Sequence, residues 1–342
     1  MSQDAQTTTA ISRRKGHHLL VVLSENPAIS PCPNSLQPIS LPRDPLPTRS
    51  LESISTSTKL LKRELSFPFI IASMTGGSQH GEAINKNLAQ AAEQERVAFA
   101  LGSLRILTKP GGLEQLPTFA VRNYCPSVPL IGNLGLTFLQ EEEAVEHILN
   151  LVDTLQLDAL YLHINPMQEA MQLAGDTDNS ELLFLLEKAI PRIPVPVFVK
   201  EVGSGIPGKL AKQLLECGVA KVDVAGTGGT SWVAVERLAR IAAYPEEVQP
   251  SEVFDSWGTS TADCLTEAVA LGVAREQLIA SGGIRSGLDI AKALSLGAGY
   301  TSAATPLLAP AMQSSEGVAQ VLARWRLELR MALYSSGLDV PK

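Results

Sequence analysis

The run Ala280-Ser281-Gly282-Gly283-Ile284-Arg285-Ser286-Gly287-Leu288-Asp289-Ile290, continued by Ala291-Lys292-Ala293-Leu294 and Leu296-Gly297-Ala298, decides the fold. Residues 277–280 read as a buried strand. The glycine pair after it lets backbone N–H groups approach an anion without a Cβ in the way, and a helix starts directly beyond. Another buried strand, 299–304, follows one short helix later. This order matches the phosphate site that β/α barrels build from the loops after strands seven and eight. Gly282 and Gly283 would serve equally to end a strand and admit close helix packing, so the flanking strands and helix carry the reading.

Working back toward the amino terminus, further apolar, β-rich runs lie at 67–73, 97–103, 128–133, 159–164, 195–201 and 221–225, making eight with 277–280 and 299–304. Helical stretches fall between them, at 81–95, 140–155, 181–190, 207–216, 261–271 and 287–296. Eight such units predict a closed (β/α)8 TIM barrel. A doubly wound open sheet is the alternative, but its glycine fingerprint belongs after the first strand, where Met74-Thr75-Gly76-Gly77 is not GxGxxG.

The chain has 342 residues, 45% hydrophobic and 18% charged, which suits one α/β core with parallel strands buried on both faces. The barrel is expected over 67–342, preceded by an N-terminal extension over 1–66. Seven prolines between Pro27 and Pro47 exclude a regular helix or central strand there and predict an extended arm wrapping the surface. A net charge of −7 argues against a nucleic-acid or membrane surface. Cys32, Cys125, Cys217 and Cys264 form no CxxC pair, which disfavours structural zinc and disulfides and fits a reducing cytoplasm. The absence of a signal-like segment or long apolar run fits the same cytoplasmic location.

In a barrel, function sits where strands end. Here those ends are rich in small and polar residues: Ser73-Met74-Thr75-Gly76, Gly102-Ser103-Leu104-Arg105, Gly132-Asn133, His163-Ile164-Asn165-Pro166-Met167-Gln168-Glu169, Lys200-Glu201, and Gly226-Thr227-Gly228-Gly229-Thr230. Such a surface suits a flat heteroaromatic ring. Glycines admit close approach, Thr75 and Asn133 offer hydrogen bonds, and Lys200 can sit beside a position that becomes anionic on reduction. With the phosphate cradle, this reads as FMN. Taken singly, Thr75 and Ser103 also read as helix caps, Asn133 as a turn residue and Lys200 as a snorkelling rim lysine.

On these motifs, with Arg14-Lys15 and His18 near the start, the chain resembles the type 2 isopentenyl diphosphate isomerases, FMN-dependent (β/α)8 proteins, from about residue 14 to 304. The HxNxxQE run and the N-terminal RKxxH carry the distinction from other FMN barrels. The resemblance implies FMN contacts from Ser73, Met74, Thr75, Ser103, Asn133, Lys200, Thr230, Gly282, Gly283, Ile284, Arg285, Ala303 and Ala304. It implies diphosphate binding by Arg14, Lys15, Ser103, Arg105 and His163, with Asn165 and Gln168 also facing substrate. Gln168, His163 and Asn165 are the expected catalytic set, and Glu169 the Mg2+ ligand.

The implied reaction interconverts isopentenyl and dimethylallyl diphosphate by proton transfer on reduced FMN, with NADPH as reductant and no net redox change. A homo-oligomer, tetramer or octamer, is expected. Physical chemistry agrees on two points. Mg2+ is commonly held by one carboxylate plus substrate phosphate, and an acidic chain must bring its cations to a diphosphate locally. Two positions depart from the family pattern: Leu104 stands where glutamine is common, and Ala225 where a hydroxyl residue is common. The competing readings are an FMN-dependent 2-hydroxy-acid oxidase or dehydrogenase and a non-catalytic flavin-binding barrel. The first would carry a histidine after strand seven, where this chain has Ser281-Gly282-Gly283.

Overall fold

A computed structural model of the chain describes residues 16–24, 27–77 and 80–340. Arg14 and Lys15, two of the expected diphosphate ligands, lie outside the described residues. Residues 16–23 form a first helix, α1. A short antiparallel hairpin follows, β1 (Thr58–Leu60) and β2 (Arg63–Leu65).

The barrel strands are β3 (Phe69–Ile71), β4 (Ala98–Ala100), β5 (Leu130–Gly135), β6 (Ala159–His163), β7 (Val197–Lys200), β8 (Lys221–Asp223), β9 (Leu278–Ala280) and β10 (Tyr300–Ala303). All pair in parallel with their sequence neighbours, and β10 returns to β3 with Thr301 opposite Phe69 and Ala303 opposite Ile71. The expected (β/α)8 barrel is therefore present. Most strands are shorter than their expected spans, because polar runs such as Ser73-Met74-Thr75 leave the ladder to line its mouth.

Six helices occupy the expected stretches: α2 (Gly81–Glu95), α3 (Ala144–Leu155), α5 (Leu182–Ala189), α6 (Gly208–Glu216), α8 (Thr261–Ala270) and α9 (Gly287–Ser295). The stretch expected to be helical from 140 differs at its start. A 3-10 turn at Leu136–Gln140 ends first, and Glu143 takes a left-handed φ of 57° before α3 begins. Others are α4 (Pro166–Met171), α7 (Trp232–Ala243), α10 (Thr305–Gln313) and α11 (Ser315–Ser336). Local chemistry sets their starts. Ser231, Ser260, Ser286 and Ser314 each accept a first-turn N–H, capping α7, α8, α9 and α11.

Period-two alternation divides the strands between two cores. Phe69 and Ile71 face the helices while Ile70 faces the barrel interior, joined there by Ile131, Tyr161, Phe198 and Ile279. Leu60 and Leu65 of the hairpin belong to that interior cluster and close the N-terminal end of the barrel. The Tyr300 hydroxyl donates to Lys59 O at 2.5 Å and ties the hairpin down. The extension is thus more than the surface arm its prolines predict.

The arm itself wraps the barrel. Leu36 is fully buried, Ser231 N donates to Ile29 O at 2.7 Å, and Asn34 Nδ2 donates to Gly283 O at 2.8 Å. Among the described residues no helix is long and apolar enough to cross a membrane.

Removing a side chain from the plug tests this architecture. Leu65→Ala is expected to cost about 2–5 kcal/mol through lost burial and a residual cavity. Urea unfolding measures it, and an unchanged midpoint would show that the hairpin does not seal the interior.

Candidate functional site

The alternation that builds the interior also selects the site. With Ile131, Tyr161, Phe198 and Ile279 inward, the same strand faces bring Asn133, His163, Lys200 and Ser281 to the carboxyl-terminal mouth. On β8, Val222 faces the helices and Asp223 the interior. Two cavities of about 420 and 430 Å3 open at this mouth and share Ser73, Lys200, Val202 and Trp232. They are two ends of one site, and every expected site residue among those described lines one or both.

The second cavity is floored by the loops after β9 and β10. Gly282 and Gly283 have φ of 92° and 97°. A Cβ at Gly282 would run into Gly226 O, and one at Gly283 into the Asn34 side chain of the arm. The glycines are therefore required by the loop's own packing as well as by access to the cavity. Among the described residues, the N–H groups of Gly282, Gly283 and Ile284 donate to nothing. An anion seated there would satisfy them. Thr230 meets Thr305 hydroxyl to hydroxyl at 2.8 Å on the facing wall. Between the two ends, Ser73 Oγ is buried with no hydrogen-bond partner among the described residues, as expected of a group whose partner is a ligand.

The first cavity concentrates charge. Arg105 donates to Glu141 at 3.0 Å and pairs with Asp176, while Lys109 Nζ lies 2.9 Å from both Glu141 oxygens. Burial is the largest single effect on the Arg105 guanidinium and lowers its pKa, but Asp176 and Glu141 together outweigh it and hold the pKa above its usual value. Across the pocket, His163 Nδ1 meets Asn133 Oδ1 at 2.9 Å. Asn165 Nδ2 donates to Gln168 Oε1 at 3.0 Å and Glu169 Oε1 at 2.8 Å; the other Glu169 oxygen accepts from Asp176 N. Glu169 is a single carboxylate, and no cluster of three or more His, Cys, Asp or Glu suited to a metal occurs among the described residues. Its fit is to a hard cation completed by water and ligand oxygens.

Several contributors escape a reading of motifs. Glu236 accepts from Gln168 Nε2 at 3.1 Å and lies 3.0 Å from His18 Nε2, close but without hydrogen-bond alignment. The signal for it was available, since Glu236 lies one helical turn beyond Trp232 on a helix capped by Ser231. His18, by contrast the histidine of the RKxxH motif, brings α1 to the mouth, edge-on to Trp232 at 5.4 Å. Lys109, Asp176 and Glu141 follow no motif. Beneath the mouth, Lys200 Nζ donates to Glu201 O at 2.6 Å. The Glu201 carboxylate folds back onto the N–H groups of Val202, Gly203, Ser204 and Gly205. Burial lifts its pKa, and these N–H groups with Lys200 oppose the lift.

Residues 149–341 match the FMN-dependent dehydrogenase family. The isopentenyl-diphosphate delta-isomerase of Oceanobacillus iheyensis is 37% identical, over 96% of this chain and 92% of its own length. That of Stutzerimonas stutzeri is 40% identical, over 95% of this chain and 92% of its own. Among solved structures, a flavocytochrome b2 variant with bound sulfite superposes with a TM-score of 0.65 at 17% identity, covering 90% of this chain and 74% of that one. A mandelate oxidase variant with (S)-mandelic acid gives 0.61 at 19%, covering 89% and 83%. At such identity these two likenesses are of fold.

The Glu201 turn holds the loop that follows Lys200. Glu201→Ala is expected to cost about 2–4 kcal/mol, because four N–H groups lose their buried acceptor. Amide exchange at 202–205 should speed up in the variant; unchanged protection there would refute the assignment.

Proposed function

The chain belongs to the isopentenyl-diphosphate delta-isomerases within the FMN-dependent dehydrogenase family, and from that membership we propose that it interconverts isopentenyl and dimethylallyl diphosphate. The observation that carries the reading is the joining of two unlike half-sites in one mouth. At one end stands a loop whose N–H groups have no partner among the described residues, and at the other Arg105, His163 and a single Glu169, with Lys200 and the Ser73 hydroxyl, also unpartnered among the described residues, between. That order fits a flavin mononucleotide lying beside a diphosphate.

The 282–285 loop, Thr230, Ala303 and Ala304 would receive the FMN phosphate end; Ser73, Met74, Thr75, Ser103, Asn133 and Lys200 would meet its ring. Bound and reduced, FMN supplies the proton-transferring group for an alkene that ordinary side chains protonate poorly. NADPH is the reductant in this reading. Arg105 would offer two donors to the diphosphate, His163 and Ser103 would add polar contacts to it, and Glu169 would hold Mg2+. Asn165 orients both Gln168 and Glu169. Gln168, held on its far side by Glu236, stands toward the alkene and positions the carbon that gains or loses a proton. The reaction moves one C=C bond; one carbon gains a proton, another loses one, and no electrons are consumed.

The cations are occupied by carboxylates, so diphosphate must replace Asp176 on Arg105. Asp176→Asn is expected to lower KM for isopentenyl diphosphate by about two- to five-fold, the range of a half-exposed ion pair, with little change in kcat. A raised KM would mean that Asp176 helps bind the substrate or its metal.

The decisive assay is conversion of isopentenyl diphosphate with Mg2+ and reduced FMN. Glu169→Gln is expected to lose on the order of 100-fold in kcat/KM while keeping its flavin. Bound FMN with no conversion by the wild-type chain would overturn the isomerase reading.

A further inference from the structure

In the barrel interior under the mouth, in register with Lys200, lies a carboxylate that the reaction above does not use. Asp223 is fully buried on β8. Ser281 Oγ donates to its Oδ1, and Ser302 Oγ donates to its Oδ2 at 3.0 Å. The Tyr161 hydroxyl lies 3.4 Å from the same Oδ2. The donors come from β6, β10 and the loop after β9, so the group is encircled by hydrogen bonds from around the barrel. Its register partner on β7 is Lys200, pointing into the same interior. Lys200 has just one hydrogen-bond acceptor among the described residues, Glu201 O. An ammonium buried this deeply with one acceptor is unfavourable unless a negative charge faces it.

We propose that Asp223 is a positioning residue, the fixed counter-charge that keeps the Lys200 side chain an ammonium and holds it beneath the flavin ring. The proposal rests on the FMN reading above. Burial holds the Lys200 pKa below its usual value, and Asp223 followed by Glu201 oppose that fall. Burial likewise leaves Asp223 above the usual carboxylate range, with Lys200, the two serines and the Ala225 N–H pulling it back down. The hydroxyls of Ser281, Ser302 and Tyr161 all face the Asp223 carboxylate, and each such donor favours its charged form over the neutral acid. Tyr161, the remaining titratable group facing Asp223, is pushed well above the usual phenol range by burial and then by that carboxylate, so it donates a proton and carries no charge.

The two possible roles of a negative charge near a flavin predict opposite signs. Acting directly on the ring, the Asp223 charge would disfavour the anion formed on reduction, and its removal would raise the midpoint potential. Acting through Lys200, it sustains a positive charge at the ring, and its removal lowers the potential.

The test is the FMN midpoint potential of the holoprotein at pH 7 in wild type, Asp223→Asn, Lys200→Met and the double variant. Asp223→Asn is expected to lower the affinity ratio for reduced over oxidised FMN by about tenfold, which is ~30 mV for a two-electron couple. Adding Asp223→Asn to Lys200→Met should change nothing further. A raised or unchanged potential in Asp223→Asn, or a further fall in the double variant, would overturn the proposal. Should Asp223→Asn not fold, Ser302→Ala removes one supporting donor and is expected to shift the potential the same way by less; a rise or no shift there has the same force. A wild-type chain that binds no FMN would instead count against the functional reading.

Discussion

The return of β10 to pair with β3 is the contact on which the rest depends. Without it the sheet would be open, and alternate residues would face solvent or helices on two sides. With it, each second residue is forced inward, and the interior must be filled from strand to strand. The lower layers use Ile70, Ile131, Phe198 and Ile279 with the hairpin leucines. The upper layers on the same faces carry Asn133, His163, Lys200 and Asp223. One geometric rule thus produces both an apolar floor and a polar mouth; the difference lies only in which residue the sequence places one pleat further along.

Charge follows from the same closure. The chain carries 35 acidic and 28 basic residues, so a diphosphate site has to be built against the average field. Arg105, on the 3-10 segment Leu104–Thr108, and Lys109, the residue that caps its end, are held by Glu141 and Asp176, which offsets the repulsion between the two cations. These are part-exposed pairs, cheap to exchange. The buried pairs are different. Glu201 and Asp223 are each locked by several donors, and their roles are fixed by folding, with no later event needed to complete them.

Strands and their polar ends were legible because parallel barrel strands are short, apolar and followed immediately by functional residues. The turn after β9 was legible from its glycines, though a second demand on them, the arm packing against Gly283, was not. The hairpin was obscured because Thr58-Lys59-Leu60 and Arg63-Glu64-Leu65 contribute one inward leucine each to the barrel interior, too few to register as a periodic pattern. Glu236 and Asp176 escaped for another reason: each acts through a residue distant in sequence, Gln168 and Arg105, and only the fold brings them together. Ala225, the departure from the family pattern, adopts a left-handed φ of 40° where a hydroxyl is common, so this turn keeps its shape without that side chain.

Ala225 also shows how the two halves of the site are joined mechanically. Its carbonyl accepts from Gly205 N at 3.0 Å, in the loop that the Glu201 carboxylate organises, while Gly226 N donates to Ser281 O at 3.1 Å. Ser281 in turn donates to Asp223, and Thr261 donates to both Ser281 O and Gly282 O. The loop that follows Lys200, the turn after β8 and the glycine loop after β9 are therefore one hydrogen-bonded unit, buried where water cannot substitute for a missing partner. In such a unit the position of the lysine and the position of the free N–H groups cannot vary independently. A ligand spanning both, phosphate at one end and ring at the other, meets a distance set by the barrel, and no ordering of flexible loops is needed to set it.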